Sequence, residues 1–287
     1  MVKEKKTKRI RAWELDFMRG IAIILVAFDH SMFDIKYLFG EMWKVSSEQW
    51  LIKLNTFANN YYYSDLRAFW WPIFVAMFFI VSGICTAFSR NNFRRALRLA
   101  VVALLLTLST FIIEKVAGMS QGSVMVVFGV LHCMASSIFI FAVINAPLNA
   151  IRRSRWIKVI VFSVLGIIIL VLYSAYFPSI GTVGPETSYQ SEKFFVGIWV
   201  FSSGFWKTTA DYFPIIPYLG FFFLGSAIAS IFYYNRKSLL PVLDGKWHYP
   251  LTIPGRFSVF VYLGFRVLDI GVFALITYIY TGSIGLI

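Results

Sequence analysis

Charge is scarce in this chain of 287 residues, with Asp, Glu, Lys and Arg making up 14% where soluble domains carry about 25%. Hydrophobic residues reach 59% and aromatic ones 19%, so too little polar surface remains to cover a soluble fold, and the chain belongs in a bilayer. Acids are the scarcer sign, 14 against 27 Lys and Arg, for a net charge of +13. That excess does not make a nucleic-acid protein, because the apolar runs leave little chain for a soluble basic domain. Cysteine is nearly missing: Cys85 and Cys133 both lie in apolar runs, which excludes a disulfide framework and a thiolate metal site and leaves them as core residues. The histidines, His30, His132 and His248, stand on separate segments without metal-ligand spacing, so no metal is expected. There is no phosphate-cradling glycine loop of the nucleotide-binding kind. No internal repeat supports an inverted-repeat transporter.

What is abundant is apolar sequence in span-length runs. About 20 apolar residues are needed per helical crossing. Runs near 17–38, 69–88, 99–117, 124–145, 157–177, 213–234 and 257–280 predict an all-α, polytopic, multi-pass membrane bundle of about seven transmembrane helices. The opening segment is basic, but the apolar run behind it carries Asp29, His30 and Asp34 and offers no small-residue cleavage site. It reads as a retained first span rather than a signal peptide. Residues 1–12 are then a basic cytoplasmic tail and residues 13–287 a single transmembrane domain. Cations alternate between loops, with eighteen Lys and Arg on the side of the N-terminus and seven on the other. This split places the N-terminus in the cytoplasm and the C-terminus outside a plasma (inner) membrane. The outer segments, 39–68 and 178–212, are rich in aromatics. Within the second, 194–206 reads either as a helix resting on lipid headgroups or as a lid over a pocket.

Ionisable residues inside a span cost about 2.5 to 3.5 kcal/mol each, so each needs a partner or a purpose. At about 100° per residue, Arg19 and His30 fall about 20° apart on the first helix, and Asp16 and Asp34 each about 60° from Arg19. One stripe therefore carries two polar levels, Asp16 with Arg19 at the cytoplasmic end and His30 with Asp34 in the outer half, roughly 16 Å apart. Asp29 stands to the side of the stripe. His132 lies at a depth like that of His30, and Asp65 and Asp211 stand above it at the outer mouth. A neutral imidazole beside a carboxylate is a proton acceptor near pH 7, which makes His30 a general-base candidate. The alternative for His30 and His132 is a hydrogen-bonded packing residue. Arg266 and Asp269, three residues apart in the last span, suit a structural ion pair on one helix face.

These residues collect into motifs. The segment Glu14-Leu15-Asp16-Phe17-Met18-Arg19-Gly20-Ile21-Ala22-Ile23, with His30 downstream, resembles the opening of the heparan-alpha-glucosaminide N-acetyltransferase catalytic domain family, within the wider membrane acyltransferase superfamily. Further similar segments follow in order: Phe79-Ile80-Val81-Ser82-Gly83 with Arg94-Arg95, Phe128-Gly129-Val130-Leu131-His132, Asp211-Tyr212-Phe213-Pro214, and Gly255-Arg256-Phe257 through Tyr262-Leu263. The resemblance spans residues 11–263. It implies an acyl-CoA-dependent membrane acyltransferase that delivers an acetyl group from acetyl-CoA, as co-substrate, to an amine or hydroxyl of a sugar on the extracytoplasmic side. On it, Arg19, paired with Asp16, and the inner arginines Arg90, Arg94, Arg95 and Arg98 meet the phosphates of coenzyme A. Positive-inside bias explains the loop arginines equally well, which leaves Arg19 as the sharp assignment. His30 corresponds to the family's first-span histidine and acts as base, with Asp34 or Asp29 in support. His132, Asp65, Asp211 and Tyr212 line the acceptor pocket, and Ser82-Gly83 allows close helix approach.

This sequence departs from the pattern at the last motif, where the family commonly continues to His-Gln-Pro and this chain runs Gly264-Phe265-Arg266-Val267. It is also shorter than the eukaryotic enzyme, and no lumenal domain precedes the first span. The expected acceptor is therefore a cell-envelope glycan, glycolipid or amino sugar rather than heparan sulfate. Expected partners are membrane lipids and that carbohydrate or glycolipid acceptor, with a homodimer as one arrangement and no nucleic acid. Two other readings of the same residues remain open: a proton-coupled transporter relaying through Asp34, His30 and His132, and a membrane scaffold whose aromatic outer segments bind a partner.

Overall fold

A computed structural model describes residues 12–116, 118, 122, 124–151, 154–176, 191 and 193–282. The basic tail up to residue 11, Arg152, Arg153 and all of 178–190 in the second outer segment lie outside the described residues. The chain is a bundle of α-helices: α1 (Trp13–Tyr37), α2 (Gly40–Lys44), α3 (Gln49–Tyr62), α4 (Asp65–Ile84), α5 (Asn92–Val116), α6 (Val130–Leu148), α7 (Ser154–Tyr176), α8 (Phe194–Trp199), α9 (Ser203–Trp206), α10 (Ile215–Phe232), α11 (Tyr249–Arg256) and α12 (Ser258–Thr281). Six of them, α4, α5, α6, α7, α10 and α12, are long and apolar enough to cross a membrane. The 25-residue α1 is also long enough, about 37 Å at 1.5 Å per residue. It differs from the six in its load of Asp16, Arg19, Asp29 and Asp34.

Local chemistry sets the helix ends. Ser64 caps α4 by accepting the Arg67 N–H at 3.2 Å, with Asp65 in the first turn where the helix dipole favours an acid. α12 stops at Gly282, whose φ of 73° is the left-handed conformation that ends many helices. The apolar run at 124–145 suggests helix from its start, but helix begins only at Val130. The backbone ahead of it is claimed by side chains. Glu114 of α5 accepts the N–H groups of Gly122, Val124 and Met125, Thr110 accepts that of Val126, and Thr209 that of Val127. This extended stretch then pairs with the segment before α10, through Ala210 N–H to the Met125 carbonyl at 2.8 Å and Phe213 N–H to the Phe128 carbonyl at 3.0 Å.

α10 is the most enclosed span, wedged among α4, α6 and α7, and α12 the least. Phe79 stacks on Tyr218 at 4.9 Å, and Phe141, Phe162, Phe222 and Phe223 fill the remaining core. α1 lies outside this core, on α4, α11 and α12. On the side of Trp13, the Trp13 indole donates to the Leu240 carbonyl, Glu14 accepts from Tyr233, Ser238 and the Leu239 N–H, and Arg155 donates to the Ser230 and Ile231 carbonyls. At the opposite side, Trp43 of α2 donates to Thr277 of α12 at 2.8 Å. The starts of α1 and α7 thus meet the end of α10 on one side, and α2 meets the end of α12 on the other.

The aromatic outer segments pack as well as face outward. α8 and α9 leave Phe194, Phe195 and Trp199 exposed while Phe201 and Phe205 are buried.

Candidate active site

α1 holds its ionisable residues in three directions, each toward a different neighbour. At its first turns, the Asp16 carboxylate lies 3.6 Å from Arg19 Nη1 and 3.6 Å from Arg256 Nε of α11. Arg95 of α5 donates to Ser82 Oγ at 2.8 Å and sits within electrostatic reach of Arg19. α11 reaches Asp16 because the crossing has no side chains in the way: a Cβ on Gly20 would strike the Leu251 carbonyl, and one on Gly255 the Asp16 carbonyl. The expected donor residues are therefore divided. Asp16, Arg19 and Arg95 come together and Arg256 joins them, whereas Arg94 and Arg98 are exposed on α5.

Toward α3 and α4, Asp29 receives a two-pronged pair from Arg67, Nε to Oδ1 at 2.6 Å and Nη2 to Oδ2 at 3.0 Å, and the Tyr61 hydroxyl at 3.2 Å. The Arg67 guanidinium also lies 4.0 Å over the Tyr62 ring. Asp65, two residues earlier, is exposed and takes no part in these contacts.

Toward α12, Asp34 is fully buried and receives two bonds from Arg266, at 2.5 and 3.1 Å. Asp269 instead accepts from Ser31 at 3.0 Å. Two sequence expectations are corrected here. Neither Asp34 nor Asp29 forms a hydrogen bond with His30, because each carboxylate is taken by an arginine fork that fits both oxygens where an imidazole fits one. Arg266 likewise passes over Asp269 on its own helix for Asp34 on α1. Arg266 is thus the partner of the Asp34 carboxylate.

His30 is the half-buried imidazole of this face. It lines a narrow crevice between α1 and α12 with Ile23, Val26, Ala27, Val261, Tyr262 and Phe265. Its ring centroid is 6.3 Å from that of Tyr262. The Tyr262 hydroxyl donates to Asp211 at 3.2 Å, and the same Asp211 oxygen accepts the Val130 N–H at 3.3 Å, at the first turn of α6. Removal from water pushes the Asp211 carboxyl above its ordinary range, against the pull of those donors.

His132 does not share the crevice. Its Nε2 is 3.0 Å from Thr107 Oγ1, and that hydroxyl donates to the Val126 carbonyl at 2.7 Å. The Tyr212 hydroxyl is spent on backbone, directed at the Gly197 and Val200 carbonyls while it accepts the Ser202 N–H. His248 is buried in the turn before α11, stacked on Trp13 at 4.3 Å. Among the described residues no group of three or more His, Cys, Asp or Glu side chains is placed to hold a metal ion.

Sequence reasoning passed over Arg67, Arg256 and the role of Tyr262. Arg67 and Arg256 carried a signal, since each is a cation next to a span end, but the charge count treated both only as loop residues.

No curated protein and no solved structure matches the chain. Residues 11–267 match the family model described as "Heparan-alpha-glucosaminide N-acetyltransferase, catalytic". With nearly the whole described bundle inside that match, the chain belongs to this family, as a multi-pass membrane acetyltransferase.

Proposed function

We propose that the protein takes an acetyl group from acetyl-CoA at its cytoplasmic face and transfers it to an amine or hydroxyl of a sugar, glycan or glycolipid at the extracytoplasmic side. His30 is the general base. The observation that carries this reading is the position of His30: in a chain of an acetyltransferase family, it is the basic side chain on the crevice between α1 and α12. Asp34 and Asp29 belong to the same functional unit through their arginines. By neutralising Arg266 and Arg67 they hold α12 and α4 against the helix that carries His30. The donor's diphosphate and 3′-phosphate fit Arg19, Arg95 and Arg256, since forked guanidinium groups suit phosphate oxygens. Asp16 orients two of these arginines.

In the reaction the acceptor nitrogen or oxygen attacks the thioester carbonyl carbon while its proton passes to His30. The carbon–sulfur bond then breaks, and the sulfur leaves with the electron pair and takes up a proton. Such base catalysis contributes about 10² to 10⁴ in rate. Calorimetry with acetyl-CoA and the detergent-purified protein tests the donor side. Arg19→Ala is expected to abolish micromolar binding, and His30→Ala to keep binding while losing acetyl transfer. An acetyl transfer rate in His30→Ala equal to wild type removes the base assignment. Absence of acetyl-CoA binding by folded wild-type protein puts a proton-coupled transporter in first place.

A further inference from the structure

With His30 assigned to the acceptor proton, the charge that develops on the carbonyl oxygen has no assigned partner. Of the side chains on the crevice, Ile23, Val26, Ala27, Val261 and Phe265 offer no hydrogen bond, which leaves His30 and Tyr262 as its polar groups. The Tyr262 hydroxyl is also oriented from behind. Asp211 Oδ2 lies 3.2 Å from it and is itself tied to the Val130 N–H. Gly129 leaves room for this carboxyl, since a Cβ there would collide with Asp211 Oδ2. α6, the segment before α10, and α12 therefore converge on one phenol at the crevice wall.

We propose that Tyr262 is a second catalytic residue of this site, its hydroxyl hydrogen-bonding the acyl oxygen as the tetrahedral intermediate forms, with Asp211 as its positioning residue. The inference rests on the acyl-transfer reading above. As the acceptor bonds to the carbonyl carbon, the π pair of the carbonyl moves onto oxygen, and the Tyr262 O–H meets that charge. When the carbon–sulfur bond breaks, the pair returns to form the carbonyl, the sulfur takes the proton held by His30, and Tyr262 keeps its own proton throughout. Asp211 is held above the ordinary carboxylate range by its removal from water. The phenol proton, directed at Asp211 in the structure, turns to the acyl oxygen as charge develops there. Arg266 lies within electrostatic reach of both groups, where its charge favours negative charge that develops on oxygen nearby.

The test uses the full chain in detergent with acetyl-CoA as donor and D-glucosamine as acceptor. Tyr262→Phe removes only the hydroxyl, and kcat is expected to fall about 10² to 10³-fold with KM for acetyl-CoA little changed, the pattern of an interaction made in the transition state. Asp211→Asn keeps a hydrogen-bonding group beside Tyr262 and is expected to lower kcat by a smaller factor, again without moving KM. Thermal melting and gel filtration check that the variants fold. Independently of any variant, isotope-edited infrared spectroscopy of a ¹³C-carbonyl ketone analogue of acetyl-CoA bound to wild-type protein is expected to show a carbonyl stretch lowered relative to the analogue in water. A kcat for Tyr262→Phe equal to wild type, a loss confined to KM, or an unshifted carbonyl in the wild type overturns the proposal. Wild-type protein that binds acetyl-CoA and transfers nothing overturns the acyl-transfer reading itself, and this inference with it.

Discussion

Asp29, Asp34 and Asp269 each meet the cost of a carboxylate within the bundle in a different way. Asp29 takes an arginine fork and a phenol, Asp34 a fork beside the Asp269 carboxyl, and Asp269 the Ser31 hydroxyl. In each case a partner comes from another helix, so these residues pin helices together. Removing one partner of a buried pair leaves an uncompensated charge and costs about 3 to 5 kcal/mol. Arg67→Ala is therefore expected to lower the melting temperature clearly, and Arg67→Ala combined with Asp29→Asn to recover much of the loss, because the stranded charge is then gone. Arg67→Lys should fall between them, since an ammonium cannot reproduce the fork. A melting temperature unchanged in Arg67→Ala would remove the Asp29 pair from the account of stability.

At the scale of elements, α1 is attached through close backbone contact on one side and ion pairs on the other. The contact with α11 depends on Gly20 and Gly255, and the crossing of α4 with α10 has the same character. There a Cβ on Gly83 would strike the Phe222 carbonyl and one on Gly225 the Ile80 carbonyl. Small residues at such crossings let helices approach where lipid offers no hydrophobic drive. Gly20→Ala forces α11 to shift and is expected to cost about 1 to 3 kcal/mol. It should also weaken acetyl-CoA binding, because α11 carries Arg256. Gly264 on α12 is the matching control, since nothing lies within 4 Å of a Cβ placed there. Gly264→Ala is expected to leave both melting and binding within error, and equal effects of the two substitutions in a thermal melt and acetyl-CoA titration would contradict the close-contact account.

For the whole molecule, the division of cations between loops predicts a cytoplasmic N-terminus. Single cysteines in a background lacking Cys85 and Cys133 check this directly. Lys53→Cys is expected to react with an impermeant maleimide added to intact cells, and Lys237→Cys only after the membrane is opened. The reverse pattern would invert the orientation and move the proposed donor site to the other face. The all-α membrane bundle and the family were legible in the sequence, because apolar length and short ordered motifs are properties of the chain read in one dimension. The start of α6 was not, since its first turn waits on Glu114 and Thr209, and Thr209 lies 82 residues from the Val127 N–H it accepts. The ion pairs were not either. Helix periodicity proposes partners three or four residues away, as it did for His30 with Asp34 and Arg266 with Asp269. Only the tertiary structure brought Arg266 to Asp34 across 232 residues and Arg67 to Asp29 across 38, because a long side chain with a planar two-pronged head reaches the neighbouring helix and binds a carboxylate more completely than anything on its own.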